Sequence, residues 1–406
     1  MISVEDALRI VCREAFPLVS ETVPLSESVG RTLSESVIAD SDMPPFDRSQ
    51  MDGFAVRAED TIDAPVCLRL VGESAAGRGW HHVLQSGEAV AIMTGAPIPE
   101  GANAVQKIEL TRAMASSNSG EAAASNIEIV EPTEEGRYIV NRGSEICQGE
   151  VIFQPGSLIT DAMIATLAAF GYSYINVGRQ PRISILGTGS EIVEIGDRPG
   201  RDQIRNSNSS MLTAMARRRG ASPSVCPNVK DNLADLKTAI NDAAESSDVV
   251  VITGGVSVGK YDLTKTAIAE LGTDVFFERV KLKPGKPTVF GRLRDTFIFG
   301  LPGNPVSAAV TFHLFVEPVL AILQGRSDPS PKVGFAIVSA AVEAARERQT
   351  YLPAALSSLN SGYLSAEPLR WNGSSDFIGF ARADALIVLE KGTSHSNGDC
   401  IPIEYL

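Results

Sequence analysis

Apolar and polar positions alternate with two different periods along the 406 residues, and the change of period divides the chain. Near the start, Val4, Ala7, Leu8, Val11 and Ala15 recur three and four residues apart. That spacing predicts an amphipathic helix over 3–15, opened by a capping box from Ser3 to Asp6, whose role is packing. From 37 to 56 the chain is polar and turn-rich, with Pro44-Pro45, Asp47-Arg48 and Asp52-Gly53 ahead of the apolar Phe54-Ala55-Val56. Short β-like runs at 66–71, 88–93, 104–108 and 126–130, separated by Gly, Pro and Ser, predict a small β domain. The Ala/Ser-rich stretch 113–125 has no apolar period and is expected to be an exposed hairpin loop. Asp161 is placed to cap a helix running to Ala169, with Gly171 beyond its end.

After Pro181 the pattern becomes regular. Buried-strand runs are expected at 182–186, 225–229, 249–253, 275–282, 288–290 and 297–301, and helices at 209–219 with Gly220 as stop, 233–244, 263–271 and 305–323. Repeated strand-helix-strand units imply a mainly parallel sheet with helices on both faces. Beyond Gly325 the alternation returns to period two, as at 385–389 and 401–405, and predicts a small carboxyl-terminal β domain.

Composition narrows the function classes. Hydrophobic residues at 44% and charged residues at 21% are globular values, and at about 150 residues per domain the length allows two to three domains. Lys plus Arg is 36 and Asp plus Glu is 49, a net charge of −13, which argues against nucleic acid or an anionic membrane as partner while leaving room for a local basic pocket. No uninterrupted apolar run of about 18 residues is evident, so no membrane helix is expected. The first residues do not resemble a signal peptide, and five scattered cysteines without a CxxC clip suit reduced thiols in a cytoplasmic protein. Four histidines, two of them adjacent, make a histidine-rich metal site a poor reading.

In an open α/β sheet, ligands bind beyond the carboxyl ends of the strands. Three loops expected there share one character: Gly187-Thr188-Gly189-Ser190-Glu191, Thr253-Gly254-Gly255-Val256-Ser257-Val258-Gly259 and Pro302-Gly303-Asn304-Pro305, with Asn304 suited as N-cap and Pro305 as first helical residue. Glycines let backbone N–H groups approach an oxyanion. One such loop is an ordinary strand-to-helix turn, but three at one edge favour a phosphate-bearing ligand. None has Walker A or Rossmann spacing. Lys281-Leu282-Lys283-Pro284-Gly285-Lys286-Pro287 sets three lysines in seven residues of an acidic chain, stiffened by two prolines, and would suit a small dianion. Glu191, Asp231 and Asp262 fall at or just after expected strand ends, where single acids are usually helix caps but several oxygens beside a phosphate suit Mg²⁺.

Five segments carry a resemblance: Asp42 to Val56 (DMPPFDRSQMDGFAV), Ile92 to Pro97 (IMTGAP), Gly254 to Gly259 (GGVSVG), Lys283 to Pro287 (KPGKP) and Leu301 to Ser307 (LPGNPVS). Together, and in this order, they resemble the molybdopterin molybdenumtransferase (MoeA) family, to which the E domain of gephyrin also belongs. The resemblance implies a multidomain α/β plus β fold: an elongated N-terminal linker domain from 1–43 with 141–178, a small β domain at 44–140, a doubly wound molybdopterin-binding α/β domain at 179–325, and a β-barrel-like C-terminal domain at 326–406. It implies a homodimer whose active sites combine the α/β domain of one subunit with the small β domain of the other, and a molybdopterin adenylyltransferase as supplier of substrate. The implied reaction inserts molybdate into adenylylated molybdopterin with Mg²⁺ and releases AMP. Carried over by position, Asp52, Glu191, Asp231 and Asp262 are the catalytic acids, the last three also metal ligands. Lys283, Lys286, Pro287, Ser307, Arg348 and Ser374 form the molybdate pocket. Thr94, Thr188, Gly189, Gly254, Gly255, Ser257, Pro302, Gly303 and Asn304 bind pterin and nucleotide. The chain departs from common family residues at Val140, Ser190, Asn206 and Arg279. A stand-alone adenylyltransferase is a poorer match, being shorter and carrying Gly-Gly-Thr-Gly where this chain has Gly254-Gly255-Val256-Ser257. A purely structural scaffold would not need the lysines and acids retained here.

Overall fold

The computed structural model describes residues 1–114, 126–255, 263–369 and 373–406. Most of the expected hairpin at 113–125 lies outside them. By its internal contacts the chain forms two compact units: Met1–Glu35 with Pro155–Ala165 and Ser173–Leu406, and Ser36–Gln154 with Thr166–Tyr172. Helix α1 (Val4–Glu14) opens as expected, Ser3 Oγ accepting the Asp6 N–H at 3.0 Å and donating to Asp6 Oδ2 at 2.7 Å. Its buried Val4, Ala7 and Val11 join the core of the first unit.

The second unit is built on β1 (Gly53–Val56), β2 (Val66–Ser74), β3 (Glu88–Ile92), β4 (Ala104–Lys107), β5 (Thr111–Met114) and β6 (Asn126–Ile129), ordered β4-β1-β3-β2-β6-β5. Only β2 and β3 run parallel. Adjacent residues feed different clusters: Val56, Ala89 and Ala104 pack on one face, and Ala55, Val90 and Val105 on the other. Gly53 is required where β1 crosses β4, because a Cβ there would lie 2.0 Å from the Gln106 carbonyl oxygen.

In the first unit, strands β7 (Arg182–Gly187), β8 (Ser222–Val225), β9 (Val249–Thr253), β10 (Asp274–Phe277), β12 (Val289–Leu293) and β13 (Thr296–Leu301) form one sheet, ordered β8-β7-β9-β13-β12-β10. The first four are parallel, and β12 is antiparallel to both neighbours. Helices α2 (Ser207–Arg218) and α5 (Pro305–Leu323) cover one face, packing on Val249, Val251 and Phe299; α3 (Leu233–Ser246) and α4 (Leu263–Glu270) cover the other, packing on Val250, Ile252 and Ile298.

Two expected strands differ. The segment placed at 225–229 lies instead at Ser222–Val225, because parallel pairing with β7 (Arg182 to Ser222 through Ile185 to Val225) decides which residues extend, and Pro223 is tolerated on this edge. The run placed at 275–282 splits: Asp274–Phe277 stays in the sheet, while β11 (Leu282–Lys283) leaves it. The expectation about uninterrupted apolar runs is not contradicted by the one described helix that comes near it, which Ser307, Thr311, His313 and Glu317 interrupt. Helix α5 is 19 residues with mean hydropathy 1.9, long and apolar enough to cross a membrane by length and composition, and 94% of that apolar window is buried in the core. Its middle, Phe312–Val316, is a π turn in which the Glu317 N–H reaches back to the Phe312 carbonyl. Pro318, which lacks an N–H and crowds the carbonyl four residues earlier, accounts for that widening.

The carboxyl-terminal strands β14 (Val333–Val338), β15 (Gln349–Ser358), β16 (Leu364–Pro368), β17 (Ala385–Leu389) and β18 (Cys400–Tyr405) close on themselves, β15 pairing with both β16 and β17. Small and branched residues (Ala336, Ala354, Ala366, Ile387, Ile401) fill this narrow barrel. Strand β11 adds to its edge, Leu282 opposite Gln349 and Lys283 opposite Thr350.

Candidate active site

The chain leaves β7 towards β8 on one side, whereas β9 pairs on the other, so the carboxyl ends of β7, β9 and β13 border a topological switch point. A cleft of about 810 Å³ lies there, lined among others by Thr188, Glu191, Gly254, Gly255, Pro287, Pro302, Gly303 and Asn304. The three glycine loops expected to share one edge are therefore together. They interlock closely: the Thr188 N–H donates to the Thr253 carbonyl at 3.0 Å, and the Gly254 N–H to that of Leu301 at 3.2 Å. Gly254 has φ +103°, and a Cβ there would sit 2.2 Å from the Thr188 carbonyl oxygen. A second, apolar cavity of about 380 Å³ adjoins the cleft through Ser207, Pro305 and Phe377.

Helix α2 begins at the cleft wall. Asn206 is its N-cap, Oδ1 accepting the Ser209 N–H at 3.0 Å. Asn208 donates from Nδ2 to Thr253 Oγ1 at 2.8 Å and to the Gly303 carbonyl at 2.7 Å, tying two of the glycine loops together. Asn304 takes the N-cap position of α5, but its side chain does not cap; Nδ2 donates instead to Ser374 Oγ at 2.7 Å, and the Val306 N–H donates to the Ser374 carbonyl at 3.1 Å.

The lysine segment runs from the barrel edge to the cleft. Lys283 pairs with Thr350 on β15, Gly285 lies against α5, and Pro287 lines the cleft wall. Gly285 has φ +114°, and a Cβ there would lie 2.4 Å from Thr311 Cγ2. Thr288 Oγ1 donates to the Gly285 carbonyl at 2.7 Å and the Val280 N–H to that of Lys286 at 3.1 Å, so the bend between the half-buried Lys283 and Lys286 is fixed on both sides. Ser307 is buried on the first turns of α5, and the half-buried Arg348 precedes Thr350 by two residues.

Among the acids, Glu191 and Asp231 both bear on the exposed loop after β7. The Ser190 N–H donates to Asp231 Oδ2 at 3.2 Å, and the Asp231 N–H to Ser190 Oγ at 3.3 Å. The Glu191 carboxylate lies over Gly189, 2.6 Å from where a Cβ would be. In the second unit, Asp52 Oδ1 accepts both the Thr94 N–H at 2.7 Å and the Thr94 hydroxyl at 2.9 Å. Those two bonds hold the Asp52 carboxyl below its ordinary pKa.

Three family profiles match the chain in order: "MoeA N-terminal region (domain I and II)" over residues 2–171, "Probable molybdopterin binding domain" over 184–322 and "MoeA C-terminal region (domain IV)" over 336–406. The molybdopterin molybdenumtransferase of Bacillus subtilis is 36% identical over 97% of this chain and 91% of its own length. The chain belongs to the molybdopterin molybdenumtransferase (MoeA) family. The Haemophilus influenzae molybdopterin molybdenumtransferase is 33% identical over 96% of this chain and 94% of its own. A molybdopterin biosynthesis MoeA protein from Pyrococcus horikoshii superposes with a TM-score of 0.81 at 30% identity, over 100% of this chain and 99% of that one.

Of the residues matched to MoeA positions, Thr188, Glu191, Gly254, Gly255, Pro287, Pro302, Gly303 and Asn304 line the cleft directly. Gly189 lies in the loop after β7, Asp231 is hydrogen-bonded to that loop through Ser190, Ser374 touches Asn304, and Lys283 and Lys286 flank a bend packed on α5. Asp52 and Thr94 are bonded to each other in the second unit. Ser257 and Asp262 lie outside the described residues, and among those described no group of three or more His, Cys, Asp or Glu side chains could hold a metal ion. Sequence reasoning missed Asn208, Arg205, Ser375 and Phe377, which also line the cleft. The repeated asparagine in Asn206-Ser207-Asn208, just ahead of the expected helix start, was the available signal for Asn208.

Proposed function

We propose that the chain is a molybdopterin molybdenumtransferase, inserting molybdate into adenylylated molybdopterin with release of AMP. The observation that carries the reading is the shared wall of the cleft, where the glycine loops after three parallel strands meet the Lys-Pro-Gly-Lys-Pro segment at Pro287. In this MoeA reading, backbone N–H groups around Gly255 and Gly303 receive phosphate oxygens, while the N–H groups of Thr188 and Gly254 are spent holding the loops together. Lys283 and Lys286 attract and orient the molybdate dianion at the barrel-side edge, with Ser307, Arg348 and Ser374 as further polar contacts. Their ammonium groups also stabilise the negative charge that gathers as AMP departs.

Mg²⁺ belongs to the same proposal. Glu191 and Asp231 offer the all-oxygen donor set this ion takes, and two carboxylates suffice when phosphate and water complete its shell. The ion would neutralise phosphate charge. A homodimer and a supplying molybdopterin adenylyltransferase complete the proposal. The test is incubation with adenylylated molybdopterin, Mg²⁺ and molybdate: molybdate-dependent AMP release is expected, and none under these conditions removes the proposal.

A further inference from the structure

Asn208 is only 9% exposed, and it lines the cleft from the first turn of α2. Chemistry fixes which way its amide points. The Gly303 carbonyl can only accept, so the amide atom 2.7 Å away is Nδ2. The second Nδ2 hydrogen goes to Thr253 Oγ1, whose own hydroxyl is directed at the Pro302 carbonyl 3.2 Å away. Both donors are thus committed to the loops. Asn208 Oδ1 remains as an acceptor, fully buried and without a hydrogen-bond partner among the described residues.

We infer that Asn208 determines specificity in this cleft, its Oδ1 accepting a hydrogen bond from the exocyclic amino group of a fused nitrogen heterocycle. The inference rests on the proposed reading of the cleft. An amide oxygen locked as an acceptor repels phosphate oxygens and pairs only with a donor. The surroundings suit a flat ring, since Ile192, Ile204, Pro302, Pro305 and Phe377 present apolar surface to the same space. The proposed substrate has two such rings, pterin and adenine, and the neutral donor common to both is the exocyclic amino group. A site built to pair a buried polar group discriminates strongly against the analogue lacking the complement.

The test is calorimetric titration with two pairs of probes, pterin against lumazine and AMP against inosine monophosphate, where an oxo group replaces the amino group. In the wild type one pair is expected to differ at least tenfold in favour of the amino compound, and the pair that does so identifies the ring. Asn208→Ala is expected to reduce that preference below threefold. Thr253→Val, which removes only one partner of Nδ2 and leaves the bond to Gly303, keeps the preference. Binding without preference in either pair, or a preference surviving in Asn208→Ala, overturns the inference while leaving the proposed function standing. Absence of binding by both pterin and AMP removes the two together.

Discussion

His313 sits at the centre of α5, fully buried, between two acids. Its Nδ1 is 2.9 Å from Glu317 Oε2, and its Nε2 is 3.4 Å from Glu404 Oε2 on the barrel strand β18, an ionic contact without hydrogen-bond geometry. Arg218 and Arg219, at the end of α2, bond the same Glu317 at 3.1 and 2.7 Å. A neutral imidazole carries one N–H, so only the imidazolium faces both carboxylates favourably. Burial pulls the His313 pKa down, but the contacts with Glu317 and Glu404 prevail and raise it above 6.5; burial likewise pushes Glu317 up, but His313 and Arg219 bring it below 4.5. The stability from His313 is therefore complete below pH 6.5 and lost as pH rises through the raised value. That from Glu317 is present above pH 4.5 and lost only as pH falls through its lowered value. Removing one partner of a buried pair costs about 3–5 kcal/mol. At about 2 °C or more per kcal/mol, His313→Gln should lower the melting temperature by about 6 °C or more near pH 6. Calorimetry of wild type and variant from pH 6 to 9 should show the gap narrowing as pH rises. A gap below about 2 °C at pH 6, or one constant across the range, would refute the argument.

Lys283→Ala and Lys286→Ala should each raise the molybdate concentration for half-maximal AMP release about tenfold or more, the equivalent of about 1.5–3 kcal/mol for a lost charge-assisted bond, with less effect on pterin binding. Unchanged half-saturation in both variants would place the oxyanion elsewhere. Gly285→Ala, forced to φ +114° with its Cβ 2.4 Å from Thr311, should cost about 1–3 kcal/mol of stability and impair molybdate use together; a variant normal by melting and by kinetics would contradict the packing argument. Thr94→Val removes the hydroxyl bond to Asp52 while keeping the backbone one, so the Asp52 pKa should rise, as followed by carboxyl-carbon NMR titration; an unmoved titration would show that the hydroxyl is not a determinant.

Much of this was legible because burial and periodicity coincide. Val249–Thr253 is a continuous apolar run ended by Gly254-Gly255, and the strand has those bounds because both its faces are covered. Helix α1 was legible down to its cap for the same local reasons. Tertiary pairing, which leaves no local trace, explains the rest. Ser222–Val225 is extended by its register with β7, and Leu282–Lys283 joins the barrel although it lies in sequence between two strands of the α/β sheet. Asn208 looks like an ordinary polar residue beside a helix start; only the approach of Thr253 and Gly303 turns it into a fixed acceptor. The departures at Ser190 and Asn206 also become intelligible, because Ser190 bonds Asp231 through both its N–H and its hydroxyl, and Asn206 caps α2 as an aspartate would.

The most direct test of the central claim is the ratio of molybdenum retained on the pterin to AMP released in a single turnover, measured by metal analysis of the isolated pterin product beside nucleotide chromatography. One molybdenum per AMP is the predicted result. AMP released at the same rate with no molybdenum on the pterin would make the cleft a site of simple hydrolysis and contradict the account.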